Sequence, residues 1–93
     1  MYLPSLAIES YDDAVRLYNQ NLKRKHKALI RYKKTRRDYE TACAEGSTSI
    51  DVLKQHKKDA VLDFVAMALI VNEGLVAVDL AMYQIELVRR LCQ

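Results

Sequence analysis

Ten basic side chains lie between Ala14 and Arg37, and no acidic residue interrupts them. Lysine and arginine at this density can neutralise phosphates, because each cation that meets a phosphate releases a condensed counterion. If Ile8 is assigned to position a of a heptad, seven of these bases fall on positions b, c and f, opposite the apolar seam: Arg16, Lys23, Arg24, Lys27, Arg31, Lys34 and Arg37. The pattern predicts a basic outer helix face that could contact an anionic ligand.

The same pattern is also typical of a solvated helix surface. In a hairpin, three aspartates of the second half, Asp59, Asp63 and Asp79, lie at levels from which they could reach basic residues of the first half, namely Arg31, Lys34 and Arg16. An acidic protein, a nucleic acid and an anionic membrane surface are the other interpretations. The sequence has no helix-turn-helix spacing, zinc-ligand set or RNA-binding sheet motif. Nucleic-acid binding would therefore follow the phosphate backbone and tolerate any base sequence.

The residues able to ligate metals or transfer protons are few and scattered. His26 and His56 fall at different levels of a hairpin, and we expect both on its surface. Asp59 and Asp63 lie one turn apart, which alone is a helix-surface feature rather than a metal site. No glycine-rich phosphate loop, activated nucleophile or acid–base pair is recognisable. The sequence predicts a protein that is not an enzyme and has no metal or cofactor.

The cysteines and the apolar runs bear on the compartment. Cys43 and Cys92 fall near opposite ends of a hairpin, too far apart for a disulfide, so we expect reduced, buried thiols. The N-terminus lacks a basic region followed by an apolar run, and no secretory signal is expected. The longest uninterrupted apolar run is Phe64–Val71, far short of the ~20 residues of a spanning helix. These features predict a cytoplasmic protein without a membrane span.

The strongest turn signal is Glu45–Ser49. Gly46 suits the left-handed position after a helix, and Thr48 with Asp51 has the spacing of a capping box. Two glycines and one proline in 93 residues leave little room for other turns. The sequence predicts a single all-α domain over residues 1–93, folded as an antiparallel, coiled-coil-like two-helix hairpin.

Helix 1 is predicted from about residue 5 or 10 to 44, and helix 2 from about 49 to 91, with uncertain ends. The earlier start follows Pro4, whereas the later one uses Ser10 with Asp13 as a second capping box. The apolar register of helix 2 runs through Asn72–Gly74. This favours a continuous or kinked helix, with a break into a third helix as the alternative.

Both predicted helices keep a coiled-coil period of about 3.5 residues. The predicted seam of helix 1 consists of Ile8, Tyr11, Val15, Tyr18, Leu22, Lys25, Leu29, Tyr32, Arg36, Tyr39 and Cys43. The predicted seam of helix 2 consists of Ile50, Leu53, Lys57, Ala60, Phe64, Met67, Val71, Gly74, Val78, Ala81, Ile85, Val88 and Cys92. The tyrosines are expected in the core. Lys25 and Arg36 either fix the register, extend out of the seam or contact an acidic partner.

Helix 2 is apolar around almost its whole circumference between Val61 and Leu80. One neighbouring helix covers only one side of such a helix. The sequence therefore predicts that hairpins associate into a four-helix or larger bundle, or that helix 2 binds another protein's helix. The predicted interface consists of Phe64, Met67, Leu69, Val71, Leu75, Val78, Met82 and Ile85.

Two functions remain open from the sequence. The first is a small non-enzymatic interaction module, such as an adaptor, a chaperone or an assembly subunit, whose partner is itself or another helical protein. The alternative is a helical dimer that binds nucleic acid through the basic face of helix 1, with affinity that falls steeply with salt.

Overall fold

The computed structural model describes the backbone of residues 3–92 and the side chains of residues 5–92. The ends of the predicted domain, residues 1–2 and Gln93, lie outside this range. Nearly all of the described chain is helical, and this part of it contains no strand. Two helices are present: α1 (Leu3–Glu45) and α2 (Ile50–Leu91). The prediction of an all-α chain with two long helices is confirmed.

The helices pair within two compact units. Unit 1 combines Met1–Leu22 with Ile70–Gln93, and unit 2 is Lys23–Leu69. Each unit thus contains one segment of α1 and one segment of α2. α2 passes without a break through Asn72–Gly74, which confirms the prediction of a continuous helix there.

Gly46 ends α1 in the left-handed conformation, with a φ of 66°. Its backbone N–H donates to the carbonyl of Cys43 at 3.4 Å, and the N–H of Ser47 donates to the carbonyl of Ala42 at 3.0 Å. This is the Schellman pattern, which satisfies carbonyls left free at a helix C-terminus. The predicted role of Gly46 is confirmed.

The N-cap position of α2 is Ser49 rather than the predicted Thr48, because the N–H of Leu53 donates to the carbonyl of Ser49 at 3.0 Å. The backbone N–H of Ser49 in turn donates to Ser47 Oγ at 3.1 Å. One serine therefore takes part in both the end of α1 and the start of α2.

α1 begins earlier than either predicted start. It is helical from Leu3, so Pro4 lies in the first turn and Ser10 lies inside the helix. Proline is tolerated in a first turn because its missing N–H has no intrahelical partner there. Asp13 forms an ion pair with Arg16 on the same helix, in place of the predicted capping box.

In unit 2 the two segments run antiparallel, and a core one side chain deep lies between them. The Arg31 guanidinium and the Asp63 carboxylate pair across the segments at 2.5 Å, and Lys57 Nζ lies 4.9 Å from the ring centroid of Tyr39. The side chains of this seam are Lys25, Ala28, Tyr32, Thr35, Tyr39 and Ala42 on α1 and Ile50, Leu53, Lys57, Ala60, Phe64 and Met67 on α2.

In unit 1 the segments are also antiparallel, because Ala7 and Val88 line one groove while Tyr18 contacts Gly74. A Cβ at Gly74 would lie 3.4 Å from Tyr18 Cδ2, so the tyrosine ring rests directly on the glycine backbone. The side chains of this seam are Ala7, Tyr11, Ala14, Tyr18 and Asn21 on α1 and Val71, Gly74, Val78, Ala81, Ile85 and Val88 on α2.

The predicted seam of helix 2 is confirmed except for Cys92, whereas four of the eleven residues in the predicted seam of helix 1 are exposed. Ile8 is 51% exposed and Leu22 is 37% exposed, and Arg36 and Cys43 are also exposed. The other seam positions of α1, between the tyrosines, are each one residue earlier than predicted. They are Ala7, Ala14, Asn21, Ala28, Thr35 and Ala42. Small residues at these positions allow the helix backbones to approach closely, which larger side chains would prevent.

Replacing Gly46 tests the left-handed turn. We expect Gly46→Ala to lower the free energy of unfolding by about 1 kcal/mol, because an L-residue at positive φ brings its Cβ against the following carbonyl. Gly46→Asn should cost less, since asparagine tolerates this conformation. Urea unfolding followed by helical circular dichroism, at one protein concentration, measures both changes. Equal stability of Gly46→Ala and the parent would contradict the turn.

Replacing Gly74 tests the contact with Tyr18. Gly74→Ala should stabilise the protein by about 0.5–1 kcal/mol, because the added Cβ fits at van der Waals distance and alanine favours the helix. Gly74→Leu should instead cost about 1–3 kcal/mol through overpacking against the ring. Thermal unfolding at matched concentration distinguishes the two. If leucine stabilised as much as alanine, Tyr18 would not lie on this position.

Candidate interaction surfaces

The apolar face of unit 1 lies along one flank of its seam. On α1 it is formed by Ile8, Val15 and Leu22, and on α2 by Leu75 and Met82. The opposite flank is fixed by Ser10 and Gln84, which line one groove together. Leu75 is 47% exposed and Met82 is 50% exposed. Because each of these residues follows a seam position, a third helix packed on this flank would contact both helices of the unit.

A second apolar surface lies on the side of α2 that points away from α1. In unit 1 this outer surface consists of Val76, Leu80 and Tyr83, all of them more than half exposed, from 57% to 64%. Twelve of the seventeen exposed large apolar side chains in the described chain belong to unit 1. Two adjoining surfaces of unit 1 are therefore apolar and uncovered.

The predicted interface residues divide into two groups. Five of them face α1 within the seams: Phe64, Met67, Val71, Val78 and Ile85. Leu69, Leu75 and Met82 are exposed. Three further exposed residues were not predicted: Ile8 was expected in the seam, and Tyr83 and Leu87 lie beyond the stretch where apolar residues surround α2. Val76, Leu80, Tyr83 and Leu87 recur every three or four residues along α2. This spacing could have identified Tyr83 and Leu87.

The single chain exposes more surface than a compact protein of its size. A globular monomer of 10.7 kDa exposes about 5,500 Å², whereas this chain exposes 7275 Å². The residues that it does bury are small: Ala7, Ala42, Ala60, Val71, Ala81 and Asn21. No large side chain of the described residues is fully buried. The pair of helices thus leaves much of its apolar material in contact with water.

α2 is long and apolar enough to cross a membrane by length and composition alone. It is the single helix of this kind in the described chain; its most apolar stretch has a mean hydropathy of 2.0, and 6% of the residues in that stretch are buried. No span was expected from the sequence, because Asp63, Asn72, Glu73 and Asp79 interrupt the apolar residues. α1 covers the seam side of this region in part, whereas Leu62, Val65, Leu69, Leu75 and Val76 are exposed.

The basic ridge of unit 2 lies on the outer side of α1. It is formed by Lys23, Lys27, Lys34 and Arg37, which are all exposed. Unit 2 contains twelve basic and six acidic residues, a net charge of +6, whereas unit 1 contains three basic and six acidic residues, a net charge of −3. The positive charge of the protein is therefore concentrated in unit 2.

The other predicted basic residues lie elsewhere or are paired. The shifted seam of α1 moves Arg24 and Arg31 to the flank beside α2, where Arg31 pairs with Asp63, one of the three aspartates expected within reach of the basic residues. Arg16 belongs to unit 1 and pairs with Asp13 rather than with Asp79. Asp59 accepts a hydrogen bond from Gln55 Nε2 on the same helix at 2.9 Å.

Tyr39 is held between two partners in the seam of unit 2. The neighbouring Cys43 thiol raises the pKa of Tyr39 above its ordinary value. The ammonium of Lys57 lies over the ring of Tyr39. A cation over an exposed aromatic ring contributes about 0.5–1 kcal/mol, so this contact supports the fold.

The thiols and imidazoles of the described residues are exposed. No group of three potential metal ligands occurs there, and His26 and His56 are exposed as expected. The expectation of buried thiols is wrong, because Cys43 and Cys92 are both exposed. The shifted seam leaves Cys43 outside, and Cys92 follows the last residue of α2.

Comparison with known proteins gives no relative on which to base a function. No known protein family, curated protein or solved structure matches this chain. The features that bear on function are therefore the apolar face of unit 1 and the basic ridge of unit 2.

The ion pair between Arg31 and Asp63 tests the shifted seam of α1. Because both side chains are more than half exposed, a double-mutant cycle with Arg31→Gln and Asp63→Asn should give a coupling energy of about 0.2–1 kcal/mol. The coupling should shrink in high salt. Unfolding of the four proteins in urea measures it, and zero coupling at low salt would contradict this arrangement of the helices.

Proposed function

We propose that this protein is a self-associating helical module, an assembly subunit or adaptor without catalytic activity. A second copy of the chain covers the apolar face of unit 1, and the two hairpins together form a four-helix bundle. The observation that supports this proposal most directly is the contrast between a core of small residues and the exposed Ile8, Leu75 and Met82. Burial of such apolar side chains away from water is favourable.

The exposed surface area of the chain supports association into a dimer or a larger bundle. The exposed surface exceeds that of a compact monomer by about 1,800 Å². A stable protein interface covers about 800 Å² on each partner, so one partner leaves apolar surface for a second contact. The outer surface of α2, with Val76, Leu80 and Tyr83, is the part that a larger bundle would use.

Self-association is favoured over binding of a different helix by the symmetry of the face. A two-fold axis places the same patch on both partners, so an apolar patch meets an equally apolar one. The face is also built from both helices of unit 1, with Ile8 on α1 and Leu75 on α2. Such a two-helix flank accepts another two-helix flank, as in four-helix bundles.

Sedimentation velocity of the purified chain tests the proposal. We expect an oligomer for the parent and a shift toward monomer for Leu75→Lys. Removing a buried leucine costs about 1.5–3 kcal/mol, and a symmetric dimer loses it twice, so the dissociation constant should rise at least about a hundredfold.

Val52→Lys is the matched control. Val52 is an equally exposed apolar residue of α2, 58% accessible, but it lies in unit 2. Its replacement should leave the oligomer intact. A well-folded monomer of the parent chain would refute the proposal, and so would a protein that stays monomeric until another helical protein binds it.

A further inference from the structure

We propose that the basic ridge of unit 2 is a binding site for the phosphate backbone of nucleic acid. The ridge is Lys23, Lys27, Lys34 and Arg37 on the outer side of α1. This inference is independent of the proposed self-association, because the ridge and the apolar face of unit 1 share no residue. Binding here is expected to be insensitive to base sequence, since contacts to phosphates carry no sequence information.

The acidic residues of unit 2 leave the ridge free. Among the described residues, the ion pairs of this unit join Arg31 to Asp63 and Arg36 to Glu40. None of them involves a ridge residue. Helix surfaces ordinarily mix charges, because opposite charges one turn apart stabilise a helix and like charges destabilise it by about 0.2–0.5 kcal/mol per pair. An anionic ligand would relieve the repulsion along the ridge.

The dimensions of the ridge fit a linear polyanion. At about 1.5 Å per residue, Lys23 and Arg37 are separated by about 21 Å along the helix axis. The cations form a line one helix wide, with Ile30 as the exposed residue at its middle. Phosphates along a nucleic-acid strand also form a line of closely spaced charges. Lysine acts as a point charge without a fixed bonding geometry, which suits such a repetitive ligand.

A membrane surface fits the unit less well. The exposed apolar residues of α2 in unit 2, Leu62, Val65 and Leu69, lie on the side of α2 away from α1. The ridge lies on the side of α1 away from α2. A helix that binds a lipid surface needs its apolar and basic groups to meet the same plane, and these two sets point in opposite directions.

An acidic protein also fits less well. Protein interfaces are organised around a buried apolar or aromatic centre, with charges at the rim. The ridge offers Ile30 alone as such a centre. Its binding energy has to come from charge, which is the usual source of non-specific nucleic-acid affinity.

Fluorescence anisotropy with labelled DNA duplexes of two unrelated sequences tests the proposal. Four phosphate contacts should reduce the affinity of the parent chain about a hundredfold between about 50 and 200 mM salt. The two sequences should bind equally well. No binding at low salt, or binding confined to one sequence, would overturn the proposal.

Two variants with the same loss of charge separate the ridge from the overall charge of unit 2. Lys27→Gln with Lys34→Gln should reduce the slope of log affinity against log salt by about two. Lys54→Gln with Lys58→Gln removes two exposed lysines from α2 and should leave the slope nearly unchanged. Equal losses in both variants would refute the ridge as the site. Preferential binding of the parent chain to phosphatidylserine vesicles over DNA would refute nucleic acid as its ligand.

Discussion

An α-helix can cover only one side of its neighbour, and this chain has two helices with which to enclose an apolar second helix. Within each unit, α1 covers the seam of α2 and leaves the remaining circumference exposed. The consequences are a core of small side chains, an exposed surface well above that of a compact protein, and apolar residues on the flank and outer side of α2. The proposed self-association is a response to this geometric limit.

The close seam also determines where the charges lie. Ala7, Ala14, Ala28 and Ala42 occupy the positions of α1 nearest to α2, so the larger residues that follow them are turned to the flank. In unit 1 these flanking residues are apolar, whereas in unit 2 the positions further around α1 are basic. With the same positions of α1 turned toward α2, unit 1 therefore exposes apolar residues and unit 2 exposes basic residues. The two proposed binding surfaces use different parts of the chain for this reason.

The sequence predicted the helices, the turn at Gly46 and the seam of α2, because periodic apolar residues and a single glycine in a polar segment determine them. In α1 it placed Ile8, Leu22, Arg36 and Cys43 in the seam, although all four are exposed. Ile8 and Leu22 are more hydrophobic than Ala7 and Asn21 before them, and hydrophobicity alone assigns them to the interior. When the backbone of α2 approaches closely, the smaller residue is buried and the larger one is exposed. The approach depends on both helices and cannot be read from the sequence of α1 alone.

The candidate surfaces on α2 were predictable from the sequence, whereas those on α1 were predictable only in part. Leu69, Leu75 and Met82 were identified as available to a partner, and the spacing of a hairpin placed Asp63 within reach of the basic residues of α1. Ile8 and the exposed Cys43 were missed because they depend on the rotation of α1, whereas Cys92 is exposed because it follows the last residue of α2. The basic ridge lost Arg31 to the flank by that rotation, although Lys23, Lys27 and Lys34 remain on the outer side.

The turn at Gly46 also implies an order of folding. Closing a chain segment costs more entropy as the segment lengthens, and contacts between distant residues form slowly. Arg31 and Asp63 of unit 2 are 32 positions apart, whereas Tyr18 and Gly74 of unit 1 are much farther apart. We therefore expect the helices to close from the turn outward, so that unit 1 forms last and opens first. The apolar face then belongs to the part of the chain whose folding has most to gain from a partner.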